Sequence, residues 1–317
     1  MRRLRPTTLL LSALLAAVPA LAAGAAEGSA IASERVADGV WAAPTPGGAN
    51  VGWFRLGEDV VAVDAGLTED VGRAIVDEIQ KTTGRKPRYL IVTHGHRDHA
   101  GGVAAFAAAG AQVIAAEKAA PPVLVLLQSP PAGAAKSESP AGPRRNPVLT
   151  VADRILFVGG PRRAEIYYLG PAHTRGDLVV VLPDDGVLFP GDLATNGVLP
   201  FMHSADVDPK GWETALPRLA ALKIQKMIPG HGAIGPTEGI GQTLAYVRKV
   251  NEIATRLLVA NVSSELVEAQ LHSPENKIEN LPVSPDHVAN VKASLEFLKA
   301  ERAKPTAPPA GRTPPPR

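Results

Sequence analysis

The chain has 317 residues, and its 33 Lys and Arg residues against 31 Asp and Glu give a net charge of +2. A net charge this close to zero does not produce the strong positive potential of nucleic-acid-binding proteins, so no nucleic-acid partner is expected. The sequence has no cysteine, which excludes disulfides, iron–sulfur clusters, cysteine-type zinc fingers and thiol nucleophiles.

The first 26 residues have the pattern of a bacterial-type secretory signal peptide. Arginines at positions 2, 3 and 5 precede an apolar run at 9–21, and small residues follow up to 26. The run is shorter than the roughly 20 residues that a membrane span needs, so no stable span is expected after signal removal. We therefore expect a periplasmic or secreted protein whose mature domain covers 27–302.

Apolar periodicity and turn signals predict a series of strands and helices in this domain. The first part is predicted to contain strands at 51–56, 59–64, 88–93 and 112–115, a helix capped by Thr68 and a helix at 103–109. The second part is predicted to contain strands at 149–158, 164–169, 177–182 and 187–189, and helices after Asp208, after Pro236 and at 288–298. His272 and His287 lie in polar late segments and are expected to be exposed.

Two segments rich in proline interrupt or follow this pattern. Residues 119–147 contain seven prolines around the apolar patch 123–127, which predicts a long loop. Long loops in compact domains often act as lids, and we take that as a hypothesis for this segment. Residues 303–317 cannot form a packed core and are expected to be disordered.

One short motif carries most of the chemical information in the sequence. Residues 94–99 read His94-Gly95-His96-Arg97-Asp98-His99, directly after a predicted buried strand. His94 and His96 are two positions apart, so both rings point the same way in an extended loop. A charged surface loop is the alternative interpretation. Four ligating groups are too many for one tetrahedral ion that keeps a water, so two ions are favoured.

The remaining ligand types recur after other predicted strands. His173 follows the strand at 164–169, Asp192 follows the strand at 187–189, and His231 lies in Pro229-Gly230-His231-Gly232. Each stands among glycine and proline residues, as expected of loops at a shared sheet edge.

The order HxHxDH, His, Asp, His, with these glycine-flanked contexts, resembles the metallo-β-lactamase superfamily over essentially the whole mature domain. The resemblance implies an α/β fold, the four-layer αββα sandwich, with a two-metal site at one edge. It implies that the first zinc is held by His94, His96 and His173 and the second by Asp98, His99 and His231. Asp192 would bridge both ions. Iron or manganese could replace the two Zn²⁺.

The chain differs from the ligand patterns of some subgroups of this superfamily, and these differences indicate which subgroups it resembles. β-Lactamases of the subclass with a cysteine ligand have that cysteine where this chain has Asp192. The aspartate version is similar to glyoxalase II, lactonases and phosphodiesterase-type members. The HxExD pattern of the diiron flavoproteins is absent, since His96 and Arg97 precede Asp98.

The expected mechanism is attack by a metal-bridging hydroxide on an acyl bond of a small-molecule substrate, in a β-lactam, lactone or related ester. Asp98 and Asp192 are the candidates for receiving or relaying a proton. Asp64 ends a predicted buried strand, and its carboxylate is expected either to accept the N–H of a ligating histidine or to cap a turn. Thr93 and Thr174 are weaker candidates for the same supporting role.

Three further residues are candidates for contact with the substrate. They follow metal-ligand candidates in the sequence, and ordinary loop polarity is the alternative explanation for them: His203, Arg175 and Asn196.

Three rival functions remain open from the sequence. One is a phosphodiester hydrolase with the same fold. Another is a mono-iron dioxygenase acting on thiol or persulfide substrates, which resembles family members that use two histidines and an aspartate at positions like His94, His173 and Asp192. The last is a metal-binding scaffold without activity, and the complete ligand set argues against it.

Overall fold

The computed structural model describes residues 31–129 and 147–304. The predicted signal peptide, most of the predicted loop 119–147 and nearly all of the Pro-rich tail lie outside these ranges. Within the described ranges, no helix combines the length and apolar character that crossing a membrane requires.

The first half of the domain forms a seven-stranded sheet whose strands lie side by side in chain order. The strands are β1 (Glu34–Ala37), β2 (Val40–Pro44), β3 (Asn50–Leu56), β4 (Asp59–Val63), β5 (Tyr89–Ile91), β6 (Gln112–Ala116) and β7 (Leu149–Val151). Neighbours from β1 to β4 are antiparallel, and neighbours from β4 to β7 are parallel.

The second half forms a five-stranded sheet in the order β12-β11-β10-β9-β8. Its strands are β8 (Arg154–Gly159), β9 (Arg162–Tyr168), β10 (Leu178–Leu182), β11 (Val187–Gly191) and β12 (Lys226–Pro229). Only the pair of β11 and β12 is parallel, and the other neighbours are antiparallel.

Eight α-helices complete the described part of the fold. They are α1 (Glu69–Thr83), α2 (Arg97–Ala100), α3 (Val103–Ala108), α4 (Ala120–Gln128), α5 (Pro209–Ala220), α6 (Glu238–Val259), α7 (Val267–Leu271) and α8 (Pro285–Ala303). The predicted cap at Thr68 is present, because its hydroxyl accepts from the Val71 amide at 3.3 Å. Asp208 caps α5 in the same way, accepting from the Gly211 amide at 2.8 Å.

Strand β10 shows how the layers stack. Its residues Leu178, Val180 and Leu182 join the core that contains the first sheet with α1 and α3. The alternate residues Val179 and Val181 join the core that contains α5, α6 and α8. The second sheet therefore lies between the first sheet and a helical layer, and the predicted αββα sandwich is confirmed.

The prediction of a continuous loop at 119–147 was wrong over its first third. Helix α4 begins with Pro121 and Pro122 in its first turn, where a missing N–H costs nothing because those amides have no partner inside a helix. Val123 and Leu127, one helical turn apart, are buried in the core. Residues 130–146 lie outside the described part of the chain, so the lid hypothesis for them stays a prediction.

The predicted single strand at 149–158 was also wrong, because it is two strands in different sheets. β7 pairs with β6 in the first sheet, and β8 pairs with β9 in the second. The chain crosses from one sheet to the other between Val151 and Arg154. The apolar pattern of the sequence cannot reveal that the chain passes from one sheet to the other, because strands in both sheets have the same two-residue period.

Candidate active site

The carboxyl ends of five strands, β4, β5, β9, β11 and β12, meet at one edge of the sandwich. β4 and β5 are parallel, as are β11 and β12, so their following loops emerge on the same side of each sheet. The Leu178 amide donates to the Thr93 carbonyl at 2.7 Å, and the Asn50 amide donates to the Gly230 carbonyl at 2.7 Å. These bonds join the loop-bearing edges of the two sheets.

The motif at 94–99 turns from β5 into the short helix α2. His94 lies in the loop after the strand, and His96, whose backbone is extended, is the last residue before the helix. Their ring centroids are 4.7 Å apart. The helical turn carries Asp98 and His99 back toward the same point, with His99 fully buried and Asp98 half-buried.

Four of the predicted ligands form one compact set: His94, His96, His173 and Asp192. One ligand atom from each lies within 4.8 Å of those of the others. Nε2 of His173 lies 3.0 Å from Nδ1 of His96 and 3.4 Å from Oδ2 of Asp192. Nε2 of His94 lies 3.8 Å from the same carboxylate oxygen.

The other three predicted ligands form an adjoining set: Asp98, His99 and His231. Nε2 of His231 lies 3.0 Å from Oδ2 of Asp98 and 3.4 Å from Nε2 of His99. Asp192 also touches this set, since its Oδ1 is 3.3 Å from His99 and its Oδ2 is 3.5 Å from His231. All seven residues therefore converge, with the Asp192 carboxylate between the two sets.

Burial and charge bias the first set, but not the histidines of the second, toward the forms that bind metal. Burial lowers the pKa of His94 well below its usual range and that of His173 to about 4. Burial by itself would raise the pKa of Asp192, but His99 and the other histidines outweigh it and hold that pKa well below its usual range. Neutral imidazoles and an ionised carboxylate are the species that coordinate cations.

The two histidines of the second set are biased toward their protonated forms. Burial alone would lower the pKa of His99, yet Asp192 and Asp64 raise it well above its usual range. The hydrogen bond with Asp98 raises the pKa of His231. A cation that binds there therefore has to displace a proton.

Two buried atoms of the cluster indicate that it fits metal ions. Nε2 of His94 and Oδ1 of Asp192 are buried and have no hydrogen-bond partner. Unpartnered buried polar atoms are costly, and a cation would satisfy both. The space is also kept open by Gly230, where a Cβ would lie 1.9 Å from Oδ1 of Asp192. The all-nitrogen-and-oxygen donor set is one that zinc accepts.

Asp64 lies directly behind the cluster. Its Oδ2 is 2.8 Å from Nδ1 of His99, and its two oxygens accept from the Thr93 amide at 2.7 Å and the Thr93 hydroxyl at 2.8 Å. Asp64 has a left-handed φ of 64°, a conformation that Asp and Asn tolerate better than most residues. The Asp64 carboxylate therefore fills both roles considered for it: it contacts the ring of His99, a ligand candidate, and it accepts hydrogen bonds that stabilise a turn.

Substitutions of Asp64 distinguish its contribution to zinc binding from its contribution to the stability of the turn. We expect Asp64→Ala to weaken zinc binding by about 10- to 100-fold, the usual effect of losing a hydrogen-bond partner behind a ligand. It should also lower the free energy of unfolding by about 1–3 kcal/mol, because the Thr93 amide becomes unsatisfied. Competition with a chromophoric chelator and urea unfolding measure the two effects.

Asp64→Asn is the matched control for that pair of measurements. Asparagine tolerates the left-handed turn and can still accept from Thr93, but it has no charge to offer His99. Stability should therefore recover more than zinc affinity does. Equal recovery of both quantities would contradict a role for the carboxylate at His99.

Two supporting residues were missed by the sequence analysis. Asp177 is buried and accepts from the Thr174 amide and hydroxyl, each at 2.8 Å, which fixes the loop that carries His173. Burial raises the pKa of Asp177 to about 8. Asn50 donates to the carbonyls of Pro229 and Gly232, both at 2.9 Å, on either side of His231. A polar residue at the end of an apolar strand was the only signal available for either.

The three candidate substrate contacts lie elsewhere than expected. The Asn196 amide donates to the carbonyls of Ala233 and Pro236, so it ties two loops together. Arg175 lines a second groove, beside α8. His203 packs its ring on Phe201, with centroids 3.8 Å apart, and its Nδ1 is 3.0 Å from Asn290. None of the three lines the cavity that opens onto the cluster.

A cavity of about 730 Å³ opens directly onto the cluster. Its floor contains the cluster residues His96, Asp98, Asp192 and His231. One wall is apolar, formed by Val198, Leu199 and Phe201, and Arg97 is the cation among the lining residues. Arg97 is exposed. The volume matches that of a small-molecule site.

Comparison with known proteins gives relatives at low identity. A type 2 metallo-beta-lactamase of Elizabethkingia meningoseptica is 25% identical over 209 residues, covering 64% of this chain and 77% of the relative. One from Bacillus sp. (strain 170) is 26% identical over 179 residues, covering 56% and 63%. The solved mono-zinc form of the metallo-beta-lactamase FIM-1 from Pseudomonas aeruginosa superimposes with a TM-score of 0.57 at 24% identity, covering 69% of this chain and 95% of that one.

The sequence profile of one family spans the part of the chain that carries the cluster. The profile of the metallo-beta-lactamase superfamily matches residues 44–231, more than half of the 317-residue chain, and ends at the last ligand candidate. With the αββα sandwich and the convergent cluster, this match identifies a metal-dependent, hydrolase-like enzyme. The chain belongs to the metallo-beta-lactamase superfamily.

Proposed function

We propose that this protein is an exported dizinc hydrolase that cleaves an acyl bond of a small molecule, in a β-lactam, a lactone or a related ester. The observation that carries the proposal is the pair of ligand sets that share Asp192 at the floor of a 730 Å³ cavity. The name metallo-beta-lactamase, which both curated relatives bear, supports an acyl bond as the target.

The two ligand sets suit two zinc ions. His94, His96 and His173 would hold the first and Asp98, His99 and His231 the second, with Asp192 bridging both. Bound zinc supplies Lewis acidity, which lowers the pKa of a coordinated water toward about 7 and polarises the bond to be broken. The same donors also accept iron or manganese, so metal analysis is part of the test.

The chain's own residues would orient the substrate and move protons. The apolar wall of Val198, Leu199 and Phe201 would bind an apolar substituent and exclude water from it. Of the two candidate carboxylates, the Asp98 side chain is 28% exposed and that of Asp192 is 6% exposed. Asp98 therefore has the better access for passing a proton to solvent or to the departing group.

The lining of the cavity favours an acyl substrate over a phosphodiester. Phosphoryl groups carry charge that enzymes usually neutralise with several cations. Arg97 is the single Lys or Arg among the described lining residues, which also include the apolar side chains of Val198, Leu199 and Phe201. A neutral acyl bond flanked by an apolar group suits such a cavity better.

The second ligand set favours hydrolysis over oxygenation at a single iron. A mono-iron dioxygenase would use His94, His173 and Asp192 and would not need further ligands. Here Asp98, His99 and His231 have ligand atoms within 4.8 Å of one another. A second complete set supports a two-metal site.

Export is part of the proposal and rests on the first 26 residues, which lie outside the described part of the chain. Fractionation of cells that express the full chain, followed by N-terminal sequencing, tests it. A chain that stays in the cytoplasm with residues 1–26 attached would contradict export.

The decisive experiment screens the purified mature chain against β-lactams, lactones, thioesters and phosphodiesters, together with elemental analysis. We expect about two zinc ions per chain and turnover of an acyl substrate that carries an apolar group. A single iron per chain with oxygen uptake on a thiol, or turnover of phosphodiesters alone, would overturn the proposed function.

A further inference from the structure

The segment Pro200–His203 lies between the metal-ligand cluster and the C-terminal helices. The Phe201 carbonyl oxygen is 3.0 Å from Nδ1 of His173, so it accepts that N–H. This bond fixes the histidine tautomer and leaves Nε2 free to face the cluster. The Phe201 ring also packs edge-on against the rings of His96 and His173, at centroid distances of 6.1 and 6.3 Å.

Helix α8 holds this segment through one buried side chain, Asn290. Its Oδ1 accepts from the Met202 amide at 2.8 Å, and its Nδ2 donates to the Pro200 carbonyl at 2.9 Å. These are the backbone groups on either side of Phe201. Because one partner only donates and the other only accepts, the orientation of the amide is fixed.

The remaining hydrogen-bonding capacity of Asn290 is also used. Its Oδ1 lies 3.0 Å from Nδ1 of His203, and its Nδ2 donates to the Tyr246 hydroxyl at 3.0 Å. That hydroxyl lies 3.0 Å from Nδ1 of His287, which is 2% exposed, so the expectation that His287 is exposed was wrong. An amide with two donors and two accepting lone pairs is the side chain that satisfies such a site.

We propose that Asn290 is a positioning residue for the active site, through which the C-terminal helices set the orientation of His173 and the apolar wall at Phe201. The proposal rests on the proposed metal site at His173. Asn290 lies outside residues 44–231, the part of the chain that the family profile matches. Asn290 would therefore position site residues from a part of the chain that the family profile does not include.

Asn290→Ala tests this role in the full mature chain. Without the amide, the Met202 N–H and the Pro200 carbonyl lose their buried partners and the segment loosens. We expect faster hydrogen exchange of the Met202 amide in the metal-free protein, and a loss of about 10- to 100-fold in Co²⁺ affinity by titration. The absorption spectrum of the bound Co²⁺ should change with the geometry at His173.

Ser294→Ala is the matched control, because Ser294 lies one turn further along α8 and is also fully buried. Its hydroxyl donates to Asn251 at 2.8 Å, on α6, and does not contact the segment. We expect it to lower the melting temperature while leaving Co²⁺ affinity, spectrum and Met202 exchange unchanged. Equal effects of Asn290→Ala and Ser294→Ala on all three readouts would overturn the proposal.

Asn290→Asp provides a second variant of nearly the same volume if the alanine variant does not fold. It retains the acceptor for Met202 and loses the donor to the Pro200 carbonyl, so Co²⁺ affinity and the Co²⁺ spectrum, which are the readouts for this variant, should shift in the same direction as in Asn290→Ala. Unchanged readouts would overturn the proposal. A wild-type chain that turns over none of the panel substrates, with Co²⁺ affinity still dependent on Asn290, would contradict the proposed hydrolysis and support the positioning role.

Discussion

Replacing His96 by alanine should abolish hydrolysis and leave the fold intact. His96 is half-buried, lines the cavity and lies 3.0 Å from His173. It belongs to neither apolar core, so its removal creates no cavity in either core. Removing a residue that hydrogen-bonds to a metal ligand typically lowers activity or metal affinity by about 10- to 100-fold. Removing a ligand itself should therefore lower kcat by at least about 100-fold.

The measurement compares kcat on the best substrate of the panel with the circular dichroism spectrum and melting temperature of the same preparation. His272→Ala is the matched control, because His272 is exposed and lies outside the cluster. The control should keep full activity. Turnover by His96→Ala at the wild-type rate would contradict the mechanism.

Metal removal should lower the melting temperature of the protein by about 8–16 °C. A ligand present at about 1,000 times its dissociation constant stabilises the folded state by about 4 kcal/mol. A domain of this size changes its melting temperature by about 2–4 °C per kcal/mol. The direction of the shift follows from the cluster, because without cations His94 and Asp192 each keep a buried atom that makes no hydrogen bond.

Thermal unfolding with and without a strong chelator measures this shift, and added zinc should reverse it. His96→Ala gives an internal comparison, since a chain with an incomplete ligand set should show a smaller shift than wild type. A chelator that leaves the wild-type melting temperature unchanged would contradict a metal contribution to stability.

Much of the candidate site could be predicted because its signal is local. His94, His96, Asp98 and His99 are adjacent in sequence, and a buried strand followed by an extended turn leaves few directions for their side chains. His173, Asp192 and His231 could be added because each follows a strand and stands among glycine and proline. The structure brings these seven residues together as the resemblance implied.

Supporting contacts could not be predicted, because they join positions far apart in the chain. The Asn290 side chain accepts a hydrogen bond from the backbone amide of Met202, 88 positions away. The Asn50 side chain donates one to the carbonyl of Pro229, 179 positions away. His287 stands in a polar stretch, yet it is buried against Tyr246 by the packing of α6 and α8. The local sequence around such residues does not differ from that around exposed polar residues.

The same limit explains the wrong elements, and it also explains why the sequence could not place the three candidates for substrate contact. Pro121 and Pro122 indicate a loop by composition, but both fit the first turn of α4, whose apolar face is buried by the core. Asn196 follows Asp192 closely in the sequence, but its side chain points to the loop after His231 instead of the cavity.

The sequence was enough to name the seven ligand candidates, because their residue types and the glycine and proline residues around them are local properties of the chain. It also determined most strands and helices, through their apolar periodicity. Only the folded chain shows which sheet each strand joins, what lines the cavity and which distant residues support the ligand candidates. These features depend on burial and hydrogen bonding between segments far apart in the chain, and neither is visible in the neighbourhood of any one residue.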